Sequence, residues 1–129
     1  MVSERAQKSG TDERLPEVIL DFEYSNGRLF IAIENIGAAP AYGVSVKFSR
    51  EIRGVGGERI TSAMNIFKTL EFLPPSKKLR VFLDTFASYD ARKQPLRVET
   101  TVTYRSKDNR KFSNAIKHDL SIYKDITEA

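Results

Sequence analysis

The chain has 129 residues, 40% apolar and 29% charged, with 21 Lys and Arg against 17 Asp and Glu for a formal net charge of +4. That length suits one domain with one core, and the composition is far from the low-hydrophobicity pattern of disordered chains. With no cysteine, a disulfide framework, a thiolate nucleophile and a Cys-ligated zinc site are excluded.

Residues 1–15 are polar, mixed in charge and without periodicity, and read as a disordered arm or linker. The domain is expected over 16–124, with a tail at 125–129. Val18, Leu20, Phe22 and Tyr24 alternate with Ile19, Asp21, Glu23 and Ser25, the period of a half-buried strand. Asn26-Gly27 follows, and Asn-Gly between two strand-like runs predicts a type I′ hairpin into a partner strand over 28–34. Val44, Val46 and Phe48 predict a third strand after a loop shaped by Asn35, Gly37 and Pro40, with Gly37 expected at positive φ.

Gly54, Gly56 and Gly57 mark 50–62 as a long mobile connection, with a short edge strand placed near 59–61. These glycines lack the Gly-Lys-Ser/Thr and the strand-to-helix context of a phosphate loop. The apolar run 66–73 stops hard at Pro74-Pro75, and a strand over 78–86 follows, with Leu79, Val81 and Leu83 opposite Arg80, Phe82 and Asp84. A polar link over 87–94 leads to the clearest strand, 96–105. A polar hairpin at 107–110 then introduces a closing strand over 112–123.

Seven to eight short strands with turn signals between them, and no convincing amphipathic helix, give an all-β class: an antiparallel β-sandwich, with a closed barrel as the alternative. The Leu29 to Gly37 run, followed by Pro40-Ala41 and Val44-Ser45-Val46, resembles the N-x-G, P-A, V-x-V signature of bacterial and archaeal immunoglobulin-like domains of the CARDB type. Leu73-Pro74-Pro75-Ser76 is similar to the turn of that family, with Ser76 and Lys77 where Gly and Glu are usual. Thr103-Tyr104 and the Asp108 to Phe112 hairpin resemble its later motif, with Arg110 where Gly is common. The resemblance implies an immunoglobulin-like sandwich and a non-catalytic accessory module, with no active residues to carry over.

His118, the one histidine, falls on the face of Ile116 and Leu120, so it either packs against the core or is displaced by a bulge. Asp84, Asp90 and Asp108 are too dispersed for the six to eight oxygens a hard cation takes. Tyr24, Tyr42, Phe86 and Tyr89 are assigned to packing rather than to ligand stacking. No metal and no cofactor is expected. The candidate interaction residues are Arg50, Arg53, Arg59, Lys77, Lys78, Arg80, Arg92 and Lys93, the last five drawn as a basic rim at one end of the sandwich. No apolar run reaches the ~18 residues needed to span a bilayer, and the first residues lack a signal-peptide core. The expectation is a non-enzymatic interaction or spacer domain within a larger chain, membrane-tethered in one version, whose partner is another protein or domain. Any membrane contact would come through segments outside this chain. The alternative is a polyanion-binding domain, for nucleic acid or anionic lipid, using the basic rim, with nucleic acid disfavoured because the cations are not clustered among stacking aromatics.

Overall fold

The computed structural model describes residues 14–126. The arm expected at 1–15 therefore lies, apart from its last two residues, outside the described residues, as does most of the 125–129 tail. Two antiparallel sheets pack face to face. One holds β1 (Val18–Ser25), β2 (Arg28–Asn35) and β7 (Lys78–Thr85) in the order 1-2-7. The other holds β6 (Leu70–Leu73), β3 (Ala41–Phe48), β8 (Arg97–Arg105) and β9 (Lys111–Asp119) in the order 6-3-8-9. This is an immunoglobulin-like arrangement in which β6 stays beside β3 rather than crossing to the smaller sheet. Two further strands, β4 (Arg53–Gly54) and β5 (Arg59–Ile60), pair only with each other, so the strands number nine among the described residues rather than the seven to eight expected, the long connection after β3 supplying the extra pair.

The alternating pattern dictates which side chains fill the space between sheets. Val18, Leu20 and Phe22 of β1, Leu29, Ile31 and Ile33 of β2 and Val81 and Leu83 of β7 face Val44 and Val46 of β3 and Val98, Val102 and Tyr104 of β8, all at most 8% exposed. Each such aliphatic side chain contributes about 1.5–3 kcal/mol on burial. The first hairpin turns at Asn26 and Gly27 with φ of 50° and 76°, the type I′ geometry expected of Asn-Gly. The sandwich is open: β9 pairs on one side only, with β8, and reaches β1 through the Asn114 side chain, whose Nδ2 donates to the Val18 carbonyl at 2.8 Å.

Four expectations are corrected. The apolar run 66–73 is not one element; a helical turn α1 (Asn65–Lys68) precedes the short β6, because Phe67 must drop into the core, where it meets Phe48 edge-on at 5.5 Å. The polar link 87–94 contains a helix, α2 (Phe86–Ala91), started by Thr85 Oγ1 accepting from the Ser88 N–H and anchored by the fully buried Tyr89. The closing strand ends at Asp119 rather than 123, since Asp119 Oδ1 accepts from the Ser121 N–H and turns the chain into a 3₁₀ segment, Leu120–Asp125. Gly37 does not have positive φ. A Cβ there would lie 2.4 Å from the Glu17 nitrogen and 2.5 Å from the Leu15 carbonyl oxygen, so glycine is required by close approach of two backbones.

Two bulges re-aim side chains. In β3 the pairing with β8 jumps from Tyr42 to Ser45, with Gly43 in the left-handed region at φ 57°. In β7 the pairing with β2 jumps from Phe82 to Asp84, leaving Leu83 as the extra residue. The second bulge turns Asp84 inward, so that it sits opposite core-facing Leu29 and is only 6% exposed, although alternation assigned it to the wet face.

Candidate interaction end of the sandwich

Strand polarity sorts the connections into two ends. At one end lie the 36–40 loop, the 74–77 turn and the 106–110 hairpin, all short. At the other meet the Asn26-Gly27 turn, the long 49–69 connection after β3, α2 after β7, and the terminal 3₁₀ segment. The eight sequence candidates divide between these places. β7 spans roughly 24 Å from Lys78 to Thr85 at 3.4 Å per residue, so Lys77, Lys78 and Arg80 do not share a rim with Arg92 and Lys93. Lys77 is exposed in the short-loop turn. Lys78 and Arg80 point outward from β7 to one carboxylate, Glu23, at 2.5 and 3.5 Å, and Arg80 also lies 4.1 Å above the Phe30 ring. Glu23 holds the Lys78 ammonium above its ordinary value.

Arg50, Arg53, Arg59, Arg92 and Lys93 come together at the elaborated end. The latch is Arg92, whose Nη2 donates to Asp84 Oδ2 at 2.5 Å and to the Arg53 carbonyl at 3.2 Å. Burial alone would raise the Asp84 carboxyl; the Arg92 guanidinium, the Thr85 N–H and the Ser88 hydroxyl outweigh it and hold the group below its ordinary value. The Arg53 N–H donates to Gln94 Oε1 at 2.9 Å, tying the β4–β5 ribbon to the chain after α2. The Arg53 side chain binds Glu51 at 2.6 Å and the Gly57 carbonyl at 3.3 Å, bracing the ribbon from inside. Arg59 reaches the Met64 sulfur at 3.0 Å. Gly54 is needed where the ribbon crosses β7, because a Cβ would meet the Leu83 carbonyl oxygen at 2.4 Å. The 50–62 connection expected to be mobile is thus tied down at Ile52, Gly54 and Thr61, all buried.

An open basin of about 720 Å³ lies beside this latch. Arg50 and Lys93 line it together with Arg97, the first residue of β8, and Lys124 of the terminal 3₁₀ segment. Sequence reasoning missed Arg97 and Lys124. Both sit in ordinary polar positions, and only the tertiary fold brings residues 50, 93, 97 and 124 together. The aromatic side chains at this end do pack: Tyr24 stacks on Tyr123 at 5.1 Å, with Phe86 edge-on to both at 6.3 Å.

The remaining singled-out residues have structural partners. His118 lies against the core, its Nε2 2.9 Å from Thr100 Oγ1 and its ring edge-on to Phe22 at 4.9 Å. Asp84, Asp90 and Asp108 stand apart, and among the described residues no three or more His, Cys, Asp or Glu groups converge as a metal would need. Asn35, fully buried, is a four-way tie: Oδ1 accepts from the Glu17 and Gly37 N–H groups, and Nδ2 donates to the Ala39 and Leu73 carbonyls.

The family model of a domain of unknown function, DUF8453, matches residues 1–124. The chain belongs to that family. Neither the curated proteins nor the solved structures hold a match to this DUF8453 domain. Among the described residues of the domain no helix is long and apolar enough to cross a membrane.

Proposed function

We propose that this DUF8453 domain is a non-catalytic interaction module that meets another protein or domain through its elaborated end. The observation that carries this is the convergence there of the two longest connections, latched by Asp84, Arg92, Arg53 and Gln94 into one rigid surface. Sandwich scaffolds present their binding loops at their ends, and a latched loop forfeits less entropy on binding than a mobile one. The resemblance of the turn and core motifs to those of CARDB-type domains supports an accessory role within a longer chain. The ionisable groups with displaced acidity answer to their neighbours: Asp84 to burial outweighed by Arg92 and its other donors, Asp108 and Asp119 to the serines beside them, and His118 to burial. The polyanion alternative loses its contiguous rim, because Lys77, Lys78 and Arg80 stand away from Arg92 and Lys93.

A photo-crosslinking residue placed in the full-length protein at exposed Arg59, and separately at exposed Lys111 in the opposite hairpin, tests the reading. Adducts from position 59 and none from 111 are expected. Equal crosslinking from both ends, or from neither, overturns it.

A further inference from the structure

The basin is unusual in its balance of charge. Arg50, Lys93, Arg97 and Lys124 face one carboxylate in the lining, Asp90, which lies 3.9 Å from Lys124. Arg97 has a second acid near it, Asp119 at 3.8 Å. Arg50 and Lys93 form no ion pair among the described residues. The four cations arrive from four separate segments, so no helix periodicity or strand face accounts for their meeting.

A second, independent feature is the backbone that delivers Lys93. It stands immediately past α2 at φ 60°, in the left-handed region. Its N–H donates to the Asp90 carbonyl at 3.0 Å and the Gln94 N–H to the Tyr89 carbonyl at 3.3 Å, the closure of a helix that ordinarily ends in glycine. A lysine there carries strain that glycine would relieve. Left-handed residues other than glycine occur in turns and cluster at ligand clamps, and Lys93 combines that backbone with a place in the basin wall.

We propose that the basin binds a di- or polyphosphate group and that Lys93 is one of its ligands. The excess of positive charge fits a ligand with several negative charges better than a single carboxylate. The two arginines offer planar donor forks that match phosphate oxygens, and the two lysines supply mobile point charges. The volume admits a diphosphate with an organic substituent. This goes beyond the reading of the same end as a protein contact and stands without it.

Isothermal titration of the purified chain with inorganic pyrophosphate is the test, repeated with Lys93→Gly, Lys93→Met and Lys77→Ala. One site is expected on the wild type, weakened roughly tenfold in both Lys93 variants by loss of a charge-assisted contact, and unchanged in Lys77→Ala. Lys93→Gly should at the same time raise the urea midpoint, whereas Lys93→Met should not. Phosphatidylcholine vesicles with and without a bisphosphorylated inositol lipid form a second arm. Binding to the acidic vesicles alone, with the same dependence on Lys93, assigns the phosphates to a lipid headgroup; binding to pyrophosphate alone assigns them to a free ligand, and Lys93-dependent binding in both arms supports a site that takes either. No binding in either arm, or equal weakening in Lys77→Ala, overturns the site. A urea midpoint that falls in Lys93→Gly overturns the argument from strain.

Discussion

Asn35 ties more of the backbone together than any other polar side chain among the described residues. Its carboxamide uses both donors and its acceptor oxygen, and its own backbone N–H and C=O bind Lys77 and Ser76 at 3.1 and 2.9 Å. Asn35→Asp keeps the shape but points an oxygen at the Ala39 and Leu73 carbonyls, so a loss of about 2–4 kcal/mol is expected from buried groups left unpaired, read as a fall in the urea midpoint. A shift below ~1 kcal/mol would show that the tie is replaced by solvent. His118 works through protonation. Burial holds its imidazole below 6.5, against a weaker upward pull from Asp21. The unfolded chain therefore takes up this proton before the folded chain does. The contribution is complete above pH 6.5 and is lost as pH falls through the depressed folded value. Urea midpoints should decline from about pH 7 to 5, and His118→Gln should flatten that part of the profile.

At the scale of elements, α2 is held by one buried hydroxyl. Tyr89 donates to the Pro95 carbonyl at 2.5 Å, and burial raises its phenol well above the ordinary value of 10.0. Tyr89→Phe should cost about 1–2 kcal/mol by stranding that carbonyl, and should speed amide exchange in α2 before it does so in β8. The strands were largely legible because their cause is local: the alternation from Val18 to Tyr24 and from Val98 to Tyr104 survives in the fold, as does the Asn-Gly turn. The helices were not. Residues 86–91 carry only Phe86 and Tyr89 on their packed side, too few to set a helical period, and 65–68 is a single turn whose helicity depends on where Phe67 must go. The Asp84–Arg92 latch and the basin beside it were illegible for a related reason. A bulge that turns Asp84 inward and a terminal 3₁₀ segment that brings Lys124 round are consequences of packing, and neither leaves a repeat in the sequence.

For the whole molecule, acid stability should follow carboxylates held below their ordinary value of 3.8 by hydrogen bonds and cations. Asp84, Asp108 and Asp119 all share that direction. Their stabilisation is present above pH 3.8 and disappears as pH falls through the lower folded values, so the steep acid transition should come below about pH 4. Asp84→Asn should cost about 2 kcal/mol, less than the ~3–5 kcal/mol of a fully buried pair, because Arg92 retains 21% side-chain exposure. An Asp84→Asn protein with an unchanged acid midpoint would remove Asp84 from this account. The two ends of the described chain add a mechanical property. Leu15 is fastened beside the short loops through the Ala38 N–H, while Tyr123 is fastened at the opposite end, its hydroxyl donating to the Phe22 carbonyl at 2.7 Å. Tension applied between residues 14 and 126 would therefore run along the strands. It would load the β1–β2 and β8–β9 ladders in shear, with their hydrogen bonds sharing the force rather than breaking one at a time, the geometry of a load-resistant link.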